Sequence, residues 1–134
     1  MVKINKEAYL KFDYYYHPSL LRGIKQATTR LADDGKNIKP GEVIECRYNL
    51  SSLPFYIIVK EIETFKFNEI SNNHALFEGY LDKGLLKQVL KSFYPEINDD
   101  TYLKQYRFKY IGYIEDLEYI KDKSLDELKE VLIW

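Results

Sequence analysis

The chain has 134 residues, 46% of them hydrophobic and 31% charged, with a net charge of −1. That is enough for one domain with a buried core, and the near-neutral balance argues against a protein held to double-stranded DNA by many phosphate contacts. A lone cysteine (Cys46) rules out an internal disulfide, the histidines show no metal-ligand spacing, and no apolar run reaches the length of a membrane span, so the expectation is a cytoplasmic protein with no membrane contact, metal or cofactor.

Ala8–Phe12 alternates weakly and reads as a first strand. Asp13 caps a short helical stretch, placed at Pro18–Arg22 because proline belongs in a first turn. Gly23 suits a chain leaving a helix. Gln26–Leu31 is a second strand, with Ala27, Thr29 and Leu31 on the face expected to meet a core. Gln26, Thr28 and Arg30 form its polar face, with Lys25 at the strand's entry. Asp33–Asn37 is a loop, and Lys39-Pro40-Gly41 a turn. Glu42–Tyr48 is a third strand. Phe55–Phe67 is the strongest strand signal, long enough to predict a bend near Glu61–Thr64.

Asn68 is placed to cap a helix from Glu69 to about Phe77, ended by Gly79. A second helix from about Asp82 to Phe93 shows Leu85, Leu86, Val89, Leu90 and Phe93 at helical spacing, and Pro95 stops it. Tyr102–Ile114 reads as a closing strand. A last helix starts at Ser124, where Ser124 and Glu127 have the form of a capping box, and Leu125, Leu128, Val131 and Leu132 make its apolar stripe. Strands with helices inserted between them predict an α+β fold, a small and mostly antiparallel barrel with a C-terminal helical extension.

Charge and aromatic residues are unevenly placed. Residues 1–30 carry six basic side chains against two acidic ones, which leaves −5 in the remainder. Thirteen Tyr and seven Phe supply either a bulky core or faces for base stacking. Tyr14-Tyr15-Tyr16 is the densest run, and Tyr16 is a candidate stacking residue. Arg30 has the fork geometry to hold a phosphate or carboxylate, or to pair with Asp33 or Asp34. Arg22 and Gln26 are further ligand-binding candidates beside it. Glu78 falls at a helix C-terminus, unfavourably against the dipole, so a partner such as Lys25 or a ligand is expected to hold it.

Several segments in order carry a resemblance. They are Gly23-Ile24-Lys25-Gln26-Ala27-Thr28-Thr29-Arg30, then Lys39-Pro40-Gly41-Glu42-Val43-Ile44, then His74-Ala75-Leu76-Phe77-Glu78-Gly79-Tyr80, then Phe93-Tyr94-Pro95, and a closing strand at Tyr106-Arg107-Phe108. Together they resemble an ASCH domain, over about residues 12–114 of a single domain. The resemblance implies a PUA-like β-barrel, a fold associated with RNA binding, and says nothing of the helix from about 124 to 134. One branch of that family is similar to small bacterial amidohydrolases that deacetylate N4-acetylcytidine using a lysine, a threonine and a glutamate. The matching positions here are Lys25, Thr28 and Glu78. Gln26 stands where that branch has a threonine, and this chain is longer than those enzymes.

Three functions follow as expectations. The first is a pocket for RNA, a nucleotide or a nucleoside, lined by Lys25, Thr28, Arg30 and Glu78, with Gln26, Arg22 and Tyr16 in support. The second is a metal-independent amidohydrolase in which Thr28 attacks, Lys25 takes its proton and Glu78 assists the leaving amine. The third is a protein-interaction module that uses the C-terminal helix.

Overall fold

The computed structural model describes residues 1–51 and 53–134. Five strands form one mixed sheet: β1 (Lys3–Phe12), β2 (Ala27–Leu31), β3 (Glu42–Tyr48), β4 (Phe55–Lys66) and β5 (Tyr102–Gly112). Their order across the sheet is β1-β3-β4-β5-β2, with β1 parallel to β3 and the other pairings antiparallel. The helices are α1 (His17–Leu21), α2 (Asn72–Phe77), α3 (Lys83–Phe93), α4 (Ile114–Ile120) and α5 (Leu125–Val131). Single 3-10 turns lie at Tyr14–Tyr16 and Phe67–Glu69.

The α+β class is as expected, but the barrel does not close. β1 and β2 remain the two edges of the sheet. The turn at Tyr14–Tyr16 and α1 intervene between them in sequence, and β2 takes its ladder from β5. At the gap a side chain does the bridging: Arg30 Nη2 donates to the Lys11 carbonyl at 2.6 Å. The guanidinium also lies over the Phe12 ring, 5.3 Å from its centroid.

β4 shows how one strand serves different cores. Phe55, Ile57 and Val59 pack on one face with Leu10, Ile44, Cys46 and Phe108, while Tyr56 and Ile58 pack on the other under α4 and α5. An irregularity between Val59 and Glu61 inserts an extra residue, which reverses the alternation beyond it. Ile62 therefore continues on the first face, and Phe65 turns out to a third cluster with Leu86, Leu90 and Leu103 beneath α2 and α3. The bend expected near Glu61–Thr64 thus begins slightly earlier.

Other differences are local. β1 begins at Lys3, well before Ala8, because its first residues pair in parallel with Glu42–Ile44 across a register break. The helix expected from Asn68 is split: a 3-10 turn precedes α2, whose cap is Ser71, accepting from the His74 amide. α4 was not expected, since Tyr102–Ile114 reads as unbroken strand. Gly112 ends that strand at φ +135°, a backbone angle that favours glycine. α3 begins at Lys83 behind its cap Asp82, close to the expected start, and Ser124 caps α5 as expected. The apolar stripe of α5 is covered in part within the domain: Leu128 is fully buried among Val2, Val43, Tyr56 and Ile58, Leu125 and Leu132 are partly buried, and Val131 is exposed. Among the described residues no helix is long and apolar enough to cross a membrane.

Candidate functional site

The site forms where the sheet stays open, and its construction begins with a helix end. Gly79 takes φ +86°, closing α2 with paired backbone bonds: its amide donates to the Leu76 carbonyl at 3.0 Å, and the Tyr80 amide to the Ala75 carbonyl at 2.9 Å. This is a Schellman motif, and it fixes Glu78 and Tyr80 on either side of the glycine. A third backbone bond, from the Gln26 amide to the Phe77 carbonyl at 2.7 Å, ties the entry of β2 to the same helix end. Lys25 and Glu78 are thereby brought together.

Lys25 Nζ donates to Glu78 Oε1 at 3.2 Å, with the two residues only 4% and 7% exposed. The ammonium also sits over the Tyr16 ring, 4.5 Å from its centroid. Burial pulls the Lys25 amine below its ordinary value of 10.5, and the charge of Glu78 opposes that pull. The carboxylate at the helix C-terminus has found the lysine partner its position called for.

The other carboxylate oxygen faces the sheet. Thr29 Oγ1 donates to Glu78 Oε2 at 2.5 Å. Gln105 Nε2 donates to the His74 carbonyl at 3.0 Å and lies 3.4 Å from the same Glu78 oxygen. Thr29, Gln105 and Glu63 are register partners on the adjacent strands β2, β5 and β4. They form a polar row beneath α2, whose His74 and Glu78 are one helical turn apart and meet that row from above. His74 Nδ1 accepts from the Ser71 amide at 2.9 Å, which places its proton on Nε2, 3.1 Å from Glu63 Oε2. Arg107 completes the row by donating to Glu63 and, at 3.1 Å, to Gln105 Oε1. These contacts orient the Gln105 amide and hold Glu78 from below.

Above the Lys25–Glu78 pair is a cavity of about 160 Å³. Its polar lining includes Thr28, Thr29 and Arg30, and its aromatic walls include Phe12, Tyr16, Tyr80 and Tyr94. The phenols of Tyr16 and Tyr80 are 2.9 Å apart, and burial raises the pKa of both. β2 presents this cavity with its open edge. Thr28 and Arg30 belong to the residues bonded to β5, as shown by the flanking bonds from Phe108 to Gln26 and from Ala32 to Tyr102. Thr29 alternates with them, so its amide and carbonyl project away from β5.

Of the residues singled out from the sequence, Lys25, Thr28, Arg30, Glu78 and Tyr16 line this one cavity. Arg22 and Gln26 do not. Arg22 is exposed just past α1, and the Gln26 amide turns back to the Gly23 carbonyl at 2.7 Å. The face of β2 expected to pack is buried, with Ala27 and Thr29 almost fully covered, but it also carries a polar contact that alternation does not predict. Thr29, expected to pack in a core, is the hydroxyl that meets Glu78, because its side of the sheet is the side α2 covers. Thr28 instead accepts from Arg30 Nε at 3.0 Å. Arg30 pairs with neither Asp33 nor Asp34; Asp34 is taken by Lys104 and Tyr106. Gln105, Glu63 and Arg107 were not found from the sequence. The available signal was a glutamine inside an apolar strand, together with the His74–Glu78 spacing.

No family model and no curated protein matches the chain. Solved structures do. An ASCH domain from Lactobacillus crispatus JV V101 aligns with a TM-score of 0.64 and 19% identity, over 78% of this chain and 81% of that one. The fold is ASCH-like. A protein from Enterococcus faecalis V583 assigned to DUF984 aligns with a TM-score of 0.70 and 17% identity, over 87% of this chain and 84% of that one. The hypothetical protein PH0355 gives 0.58 and 21%, over 76% and 96%. At these identities the likeness establishes architecture, and the function of the ASCH-like fold has to be argued from its site.

Proposed function

We propose that the cavity binds the base of a nucleoside, either free or as part of a nucleotide or RNA strand. The observation that carries this reading is the buried Lys25–Glu78 pair at the base of an aromatic-walled cavity. The two charges neutralise each other, so the floor is not a phosphate site. It offers a donor beside an acceptor, the pattern on the edge of a heterocyclic base. The aromatic walls suit stacking. The volume, about 160 Å³, lies below the roughly 300–1,000 Å³ of pockets that enclose a whole drug-sized ligand, and suits a single ring system. Sugar and phosphate then remain at the mouth, near Lys11 and Arg30.

Isothermal titration of the four ribonucleosides tests the reading. Binding is expected for at least one of them, with a shallow salt dependence and a loss of at least tenfold in Lys25→Met and Glu78→Gln. Failure of the wild type to bind any of them at millimolar concentration would overturn it.

The hydrogen bond from the Thr29 hydroxyl to Glu78 favours a second reading, hydrolysis of an N-acylated nucleoside such as N4-acetylcytidine. Thr29 Oγ1 attacks the acyl carbonyl while its proton passes to Glu78. Glu78 returns that proton to the departing amine as the carbon–nitrogen bond breaks, and water then cleaves the resulting threonine ester. Nucleoside release from N4-acetylcytidine is the assay. Activity lost in Thr29→Val but kept in Thr28→Val supports this assignment of the nucleophile. Absence of release, or release unchanged in Glu78→Gln, ends the reading.

A further inference from the structure

The cavity above Lys25 and Glu78 has a neighbour. Phe93 and Tyr94, at the end of α3, line it and also line a second, larger chamber of about 430 Å³. The rest of that chamber is Leu31, Pro95, Glu96, Ile97 and Thr101. The two chambers are therefore adjacent and share an aromatic wall. Phe93 is 56% exposed, which leaves a large ring open to a ligand at the junction.

We infer that the second chamber takes the neighbouring base of a single-stranded dinucleotide whose first base occupies the cavity over Lys25 and Glu78. The inference rests on the base-binding reading above and extends it. The first chamber is too small for more than one ring system, so the remainder of a longer ligand must leave by its mouth, where Phe93 and Tyr94 form part of the wall. The second chamber falls within the size range of ordinary ligand pockets. Its lining is apolar and aromatic apart from Thr101 and the exposed Glu96. A base stacks on such a surface without sequence-specific hydrogen bonds. The acidic Glu96 and the absence of any basic residue from the lining argue against a phosphate inside it. The basic groups Lys11 and Arg30 belong to the first chamber, so the backbone is held there and the second ring reaches across the aromatic wall.

The test compares the ribonucleosides with the sixteen dinucleoside monophosphates by isothermal titration. At least one dinucleotide is expected to bind about tenfold more tightly than its better constituent nucleoside, the effect of one added stacking contact. Ile97→Ala, at a residue that lines the second chamber and not the first but also packs on the core beneath α3, is expected to remove most of that gain and leave nucleoside affinity within twofold. Lys25→Met is expected to weaken both ligands. Thermal melting of Ile97→Ala checks that it folds, and Glu96→Lys, at an exposed position, provides a second probe by altering dinucleotide affinity alone. Nucleosides that bind with no dinucleotide advantage overturn the second chamber while the first stands. So does an advantage that both variants leave intact. Loss of all binding in the wild type overturns both proposals.

Discussion

The Thr29 hydroxyl donates to Glu78 Oε2 at 2.5 Å, joining the open edge of the sheet to the C-terminal end of α2. The other oxygen of the same carboxylate meets Lys25, so one glutamate ties together the strand entry, the strand edge and the helix. Thr29→Val keeps the shape and removes the donor. A hydrogen bond to a charged group is worth about 1.5–3 kcal/mol, and a loss of that size is expected in urea unfolding. Thr28→Val loses only its contact with Arg30 Nε and should fall by about 1 kcal/mol or less. Equal effects of the two changes would show that the strand faces are assigned wrongly.

The buried ion pair predicts strong non-additivity. Lys25→Met leaves the Glu78 carboxylate without its cation, and Glu78→Gln leaves the ammonium without its anion. Breaking one side of a buried pair costs about 3–5 kcal/mol, whereas replacing both sides is often close to neutral. The double variant Lys25→Met/Glu78→Gln is therefore expected to be at least as stable as either single one. A double-mutant cycle by chemical denaturation measures this, and simple addition of the two losses would contradict a coupled buried pair.

Much of this site was legible in the chain. Lys25, Thr28, Arg30, Glu78 and Tyr16 all reached the cavity, because each follows from a local rule about a strand entry, a strand face, a helix end or an aromatic run. The helix-dipole conflict at Glu78 correctly called for a partner, and Lys25 is that partner. The wrong assignments came from long-range geometry. Alternation along β2 separates two faces but does not say which polar group a distant helix will bring to them, and α2 starts only at Asn72. Thr29 is buried on the face expected to pack, but its bond to Glu78 depends on where α2 docks and is not legible in the strand. The polar row of Thr29, Gln105 and Glu63 exists only in the register of three strands. The extra residue between Val59 and Glu61 sets the β4 part of that register, and alternation predicts only its approximate place. Closure of a barrel is a global property of the sheet, and local strand signals cannot settle it.

Gly79 should matter beyond stability. Its φ is +86°, and an added Cβ would lie 3.0 Å from Ile24 Cγ2, so alanine meets backbone strain and a tight contact with the half-exposed Ile24 side chain. The expected loss is about 1–2 kcal/mol from the left-handed backbone alone. Because Gly79 separates Glu78 from Tyr80, Gly79→Ala is also expected to weaken nucleoside binding more than an equally destabilising change in the distant α4–α5 cluster, such as Leu117→Val. Comparing titrations of the two variants below their unfolding temperatures checks this. Equal affinities would mean that the Schellman turn does not position the site.

The buried amine gives a prediction in pH. Burial lowers the Lys25 pKa in the folded protein below the ordinary value of 10.5. Below the folded pKa both states carry the proton, and the folded state bears the full penalty of the buried charge. Between the folded pKa and 10.5 the unfolded chain holds more protons, so this group makes stability rise with pH. Above that range both forms are neutral and the penalty is gone. Several buried tyrosines have raised pKa values and act in the opposite direction at alkaline pH, Tyr106 and Tyr110 being pushed up to about 12. The effect of Tyr106 and Tyr110, which Lys25 does not perturb, is common to the wild type and Lys25→Met and cancels in the difference, whereas Tyr16 lies against the Lys25 ammonium. The stability of the wild type minus that of Lys25→Met, taken from urea midpoints, is therefore expected to increase as pH rises towards 10.5. A difference that stays flat or falls across that range would mean that the amine is not desolvated as its place beneath the cavity requires.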